Sequence, residues 1–164
     1  METRDDKLII SKEKAIEIYD ESPVVLRKML EDTFGIFCFR SSNFEDFKTF
    51  DDLCRCVGIK EVDFDNKWKH LELDPSTLAF ERLKVLTRAY NQDWIPNVYD
   101  TGQKRWFPIF SVLSSGIVFS YSYYYYDITF TYVGSRLCFK SEETSTHAGK
   151  TFSQLFIDLI TAKH

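Results

Sequence analysis

Apolar positions in the first half of the chain recur at three- and four-residue steps in short blocks, each preceded by a side chain able to cap a helix. Ser11 precedes Ala15, Ile16 and Tyr19. Ser22 and Pro23 precede Leu26, Met29, Leu30 and Phe34, and Gly35 closes that block. Ser42 with Glu45, and Thr49 with Asp52, have the spacing of a capping box; the second predicts a helix that stops at Gly58. Asp74 and Pro75 then open a longer helix to about Asn91, with Ala79, Leu83, Leu86 and Tyr90 on one stripe.

After Trp94, Pro96, Asn97, Asp100 and Gly102 break that period, the pattern changes from three-four to two. Val, Ile, Phe, Tyr and Thr dominate residues 104–140, and Ser114, Ser115, Gly116 and Gly134 punctuate them. This predicts three strands near 104–113, 117–126 and 128–140, in a meander with the second strand central. Along the second strand, alternation sends Ile117, Phe119, Tyr121, Tyr123 and Tyr125 one way. Val118, Ser120, Ser122, Tyr124 and Tyr126 point the other way. Pro108 cannot donate a ladder hydrogen bond, so the first strand is expected at an edge or with a bulge there. At the end, Ser141 caps a helix that opens on Glu142 and Glu143 and carries the stripe Phe152, Leu155, Phe156, Leu159 and Ile160. The stripe is expected to cover the apolar, odd-numbered side of the sheet. The predicted class is therefore α+β: short N-terminal helices, an antiparallel three-stranded meander, and a C-terminal amphipathic helix packed on the sheet.

At 164 residues the chain is one domain's worth, divided as an acidic helical part over 1–73 and the helix, meander and final helix over 74–164. With 44% hydrophobic and 28% charged residues, it is neither low-complexity nor wholly disordered. The net charge of -4 argues against a surface built to neutralise many phosphates. The opening residues lack the apolar stretch of a signal peptide, and no run reaches the ~18 to 20 apolar residues of a membrane helix. A cytoplasmic protein with reduced Cys38, Cys54, Cys56 and Cys138 is the expectation.

Catalytic motifs are absent. Ala148, Gly149, Lys150 and Thr151 end like a phosphate loop, but Thr144 stands where its first glycine belongs and the segment has a helical period. Gly149 is better read as permitting close helix packing. Cys54, Cys56 and His70 lack the second ligand pair of a zinc site, and one of the two thiols is expected buried and the other exposed. His147 follows Glu143 by one turn and suits a surface pair, and His164 is terminal. No nucleophile and base are placed together, so no enzyme, metal or cofactor is expected.

Aromatic density stands out instead. Of 27 aromatic residues, 14 lie between Trp94 and Phe139. Ser120, Ser122, Tyr124 and Tyr126 have the Tyr/Ser composition that gives large, rigid contacts at low entropy cost. Lys104, Arg105, Arg136 and Lys140 can add cation-π contacts, and Trp106 a stacking surface. These nine residues form the predicted binding face, for another protein or a second copy. Single-stranded nucleic acid is the alternative, and capture of a small anionic ligand by Arg136 and Lys140 a third reading.

Several stretches also resemble a known family: LKVLTRAYN at 83–91 with Trp94 and Pro96, KRWFPIF at 104–110, Ser114–Gly116, VGSRLCFKSE at 133–142 and AGKTF at 148–152. Together they look like a family of small uncharacterised proteins of Bacteroidetes genomes and their bacteriophages. The similarity spans roughly residues 75–160, with a weaker upstream echo in TFDDLCRCVGI at 49–59. It implies a phage or prophage setting in a host cytosol and carries over no catalytic residue. Ile109 departs from that pattern, in which a second aromatic often follows the proline.

Overall fold

The computed structural model describes residues 10–39, 43–71, 73–126 and 134–161, in two compact units that divide after Ser41. In the first unit, α1 (Lys12–Tyr19) starts where the Ser11 hydroxyl accepts the Lys14 amide at 3.3 Å. The second helix, α2 (Val24–Phe34), follows Pro23 and ends at Gly35, whose φ of 84° lies in the region that favours glycine. Ser22 provides no cap; its hydroxyl donates back to the Ile18 carbonyl. Ala15, Tyr19 and Leu30 form the core of this unit, and Phe39 stacks on Tyr19 at 4.4 Å.

The second unit is built around α5 (Pro75–Asn91), which begins as its sequence predicts. The Asp74 carboxylate accepts the Ser76 and Thr77 amides, each at 3.0 Å, and Pro75 fills the first position, where no amide partner is needed. Leu83, Leu86, Ala89 and Tyr90 on its inner stripe are buried. The Tyr90 ring is the aromatic hub: Phe47 at 5.2 Å and Phe139 at 5.7 Å meet it edge-on. Thr49 and Asp52 form the expected capping box and start α3 (Phe50–Cys56), which packs on α5. The other expected box lies partly outside the described residues, since it needs Ser42. There, Asn43 caps a single 3-10 turn over Phe44–Asp46. An additional helix, α4 (Glu61–Lys69), follows without any side-chain cap.

The sheet departs most from expectation. Among the described residues it has two antiparallel strands, β1 (Arg105–Leu113) and β2 (Gly116–Tyr125), joined by the two-residue turn Ser114–Ser115. Residues 128–133 of the expected third strand lie outside the described residues, and Gly134–Leu137 is a 3-10 turn. The next segment does reach the sheet, but on the far side of β1: Trp106 and Phe139 exchange both backbone hydrogen bonds, at 3.0 and 2.8 Å. Among the described residues β1, not β2, therefore has a neighbour on each side.

Pro108 explains why that bridge stays short. Trp106 turns its amide and carbonyl away from β2, so Pro108, two residues on, faces the same way and costs the hairpin no bond. The position two residues past the bridge simply lacks a donor. Asn91 at the end of α5 fixes the bridging segment. Its side-chain amide donates to the Cys138 carbonyl at 2.7 Å and its oxygen accepts the Lys140 amide at 3.0 Å.

A bulge lies one residue beyond Pro108. Ile109 pairs with Tyr121 but Phe110 with Phe119, which leaves Ser120 as the extra residue on β2. Directly opposed residues share a face, so the bulge breaks the simple alternation. Phe119 falls with Pro108, Phe110, Ser122, Trp106 and Tyr124, whereas Tyr121, Tyr123 and Tyr125 fall on the other side. The expected division into an odd apolar face and an even mixed face is thus corrected.

The C-terminal segment is two helices, α6 (Glu142–Thr151) and α7 (Ser153–Thr161), rather than one. Ser141 and Thr144 make the capping box of α6. It is α6, with small Ser145, Ala148 and Gly149 buried, that lies on the sheet, while α7 packs mainly on α5 and reaches the sheet through Phe156 against Phe110 at 5.4 Å. Gly149 serves the close packing expected of it: a Cβ there would lie 2.5 Å from the Phe119 ring and 2.8 Å from the Pro108 Cβ. Among the described residues no helix is long and apolar enough to cross a membrane.

Candidate functional site

Residues 106–126 contain no Asp, Glu, Lys, Arg or His, in a chain with 46 Asp, Glu, Lys and Arg residues. This run coincides with the hairpin almost residue for residue, and much of it is exposed. Val112 is 78% exposed, Tyr121 55% and Tyr123 50%, and Leu113, Val118 and Tyr126 are also exposed. The signal missed in reading the sequence is therefore not the tyrosines themselves but the absence of charge around them. One side of the hairpin is covered by α6. The other is open around Tyr121, Tyr123 and Val118 and closed at its base, where Arg105 and Phe107 are buried.

The nine residues expected to form one binding face are divided by this arrangement. Four come together at the base of the hairpin: the Trp106 and Tyr124 ring centres lie 4.8 Å apart, Tyr124 and Tyr126 5.9 Å apart, and Lys104 Nζ stands 4.4 Å from the Tyr124 centre. Tyr123 stacks nearly parallel to Tyr124 at 5.6 Å. Tyr124 is therefore flanked by Lys104, Trp106 and Tyr123, which leaves little of its ring to stack a base.

The side chains of the remaining five do not join that ring cluster. Arg105 is only 2% exposed; its guanidinium donates to the Tyr126 carbonyl at 2.6 Å and the Asn97 carbonyl at 3.4 Å, so it ties the hairpin base to the preceding loop. Ser122 faces α6 and bonds Ser145 and Thr146 at 2.9 and 3.0 Å. Ser120, in the bulge, is exposed and bonds Ser111 at 2.9 Å. The Arg136 guanidinium lies 5.4 Å from the Phe80 ring on α5. Lys140 is exposed beside the Asn91 bond.

A second concave region lies on α6. Phe44, Glu45, Glu142, Glu143, Thr146, His147 and Lys150 line an open groove of about 580 Å³. The histidine in it is not paired with Glu143, as its spacing suggests, but bonds the Tyr90 phenol through Nδ1 at 2.7 Å. Burial pushes the Tyr90 phenol above its ordinary value, so it keeps its proton, and it shares with Nδ1 a hydrogen bond whose direction follows the imidazole tautomer. Burial, aided by Lys48 and opposed by Glu45, lowers the His147 pKa. The ring is thus held by a hydrogen bond and by the Phe44 edge at 5.5 Å. The bond joins α5 to α6.

Neither cysteine of the α3 pair is exposed. Cys54 and Cys56 are both buried, and Cys56 Sγ donates to the Ala89 carbonyl at 3.8 Å. Among the described residues no group of three or more His, Cys, Asp or Glu side chains is placed to hold a metal ion. No protein-family model, curated protein or solved structure matches this chain.

Proposed function

We propose that this chain is a non-catalytic binding module, an accessory protein that acts by contacting another protein through the open side and tip of its hairpin. The observation that carries this reading is the uncharged, exposed run over residues 106–126, with Val112, Leu113, Val118, Tyr121, Tyr123 and Tyr126 at the surface. Exposed aromatic and aliphatic side chains on a rigid hairpin provide large contacts without a desolvation cost for charge. A phage or prophage-like setting is part of the proposal and rests on the sequence resemblance alone. The test is capture on immobilised protein with identification of what is bound. A protein held by the wild type and by Tyr99→Ala, but lost with Tyr121→Ala/Tyr123→Ala in a variant that melts like the wild type, supports the reading. Identical capture by all three rejects it.

The Lys104, Trp106, Tyr124 and Tyr126 cluster favours one second reading, the binding of single-stranded nucleic acid. Against it stand the burial of Arg105 and the mutual packing of the rings. Quenching of tryptophan fluorescence by an oligonucleotide at low salt, relieved steeply as salt is added, supports this reading; no quenching at low salt removes it.

A further inference from the structure

Two hydrogen-bond donors near the start of α5 have no acceptor. Trp68 Nε1 and Arg82 Nε are shielded from solvent, and among the described residues neither has a hydrogen-bond partner. A buried donor left unpaired costs free energy, and one on a charged group costs more, so each calls for a partner. Both belong to one place. On α4, Asp65 and Trp68 lie three residues apart and share a face; on α5, Leu78 and Arg82 lie four apart and share another. Arg82 Nη2 donates to the Asp65 carboxylate at 3.2 Å, which brings the two faces together.

Beside this pair is an open cleft of about 250 Å³, lined by Asp65, Trp68, Lys69, Leu73 and Leu78. It is smaller than the ~300–1,000 Å³ of drug-sized sites, so its occupant is small. Its apolar wall comes from the way α5 begins. Leu73, just before the Asp74 cap, and Leu78, at the fourth helical position, stand where a hydrophobic staple would. The polar side is rich in donors. Arg82 and Lys69 are cations, and Lys67 Nζ lies 4.4 Å from the Trp68 ring centre. Asp65, the single carboxylate lining the cleft among the described residues, is already bonded to Arg82.

We infer that this cleft is a site for a small monocarboxylate with a short apolar tail. The carboxylate accepts from the Trp68 indole and from Arg82 Nε and is paired with Lys69, while the tail lies on Leu73 and Leu78. The charge of the ligand follows from the guanidinium, because charge-assisted bonds are shorter and stronger than those to a neutral carbonyl or to water. The cleft uses no residue of the hairpin, so it stands apart from the contact surface proposed above.

The test titrates hexanoate into the full chain while the indole N–H signals of Trp68, Trp94 and Trp106 are followed by NMR. Expected is a saturable downfield shift of the Trp68 signal alone, with Kd roughly 0.1–10 mM, the range open to a ligand of so few atoms. Hexanol and hexylamine should bind at least ~10-fold more weakly, since neither brings a charged acceptor. Lys69→Glu at the mouth should weaken hexanoate at least ~3-fold, and Lys28→Glu, on the first unit, should not. A Trp68 signal that stays still up to about 20 mM hexanoate, or that moves together with those of Trp94 and Trp106, overturns the inference and leaves water to satisfy the indole. So does hexanol binding as tightly as hexanoate, which would show that the cleft reads only the apolar tail, or unchanged affinity in Lys69→Glu. The titrations of the wild type need no variant, so a misfolded Lys69→Glu protein would leave the test intact.

Discussion

The Tyr90 phenol and Nδ1 of His147 share a hydrogen bond across 2.7 Å, joining the middle of the core to the groove on α6. Protonation of His147 puts a hydrogen on both ring nitrogens, so Nδ1 can then only donate and the Tyr90 hydroxyl only accept there. Because the folded-state pKa lies below the ordinary 6.5, the unfolded chain binds the proton more readily. The contribution of this group to stability is therefore complete above the unfolded value and is lost as pH falls below it towards the folded one. The melting temperature of the wild type should fall more steeply than that of His147→Gln between about pH 7.5 and pH 5.5. Parallel curves would show that this histidine titrates alike in both states.

Gly149 and Phe119 lie so close that any side chain at 149 must displace the ring. Gly149→Ala is expected to cost about 1–3 kcal/mol by overpacking, despite the better helix propensity of alanine. Urea unfolding measures it, and adding Phe119→Leu should recover part of the loss because the two sites share one contact. A stabilised Gly149→Ala variant would mean that α6 and the sheet are further apart than described.

The thiols offer a check on burial. Desolvation pushes both Cys54 and Cys138 up to about 12, and Cys56 is buried with a carbonyl acceptor, whereas Cys38 is half-buried. At pH 8 a thiol of pKa near 12 is about one part in 10⁴ thiolate, the reactive form. A disulfide reagent should therefore modify Cys38 rapidly in the native protein and the other three only on unfolding. Rapid labelling of Cys54 in the folded state would contradict the packing of α3 on α5.

Features set by a few adjacent residues were legible in the sequence. Ser11, Thr49, Asp74 and Ser141 each cap the helix expected of them, because a cap needs only a short side chain and the amides that follow. The hairpin was legible from its β-branched and aromatic run, and the role of Gly149 from its place in a helical stripe. What escaped notice depends on distant partners. Helix α4 has an uncapped start at Lys60 and only Phe64 buried, so its period is faint. The break at Phe152 falls inside an unbroken apolar stripe, where only the turn of α7 towards α5 reveals it. The two faces of β2 exchange beyond Phe119 relative to plain alternation, because a strand with one extra residue has the same letters as one without.

That single surplus serine has a further implication for how such a chain can change. Removing Ser120 would bring Phe119 and Tyr121 into plain alternation, with Phe119 and Ser122 still towards α6 and Tyr121 and Tyr123 still on the open side, so the strand would straighten and keep both of its faces. Nothing else in the composition would alter. A one-codon deletion within Tyr121–Tyr125 would instead exchange the solvent side and the packed side of the strand beyond it, a larger reshaping than most substitutions can produce.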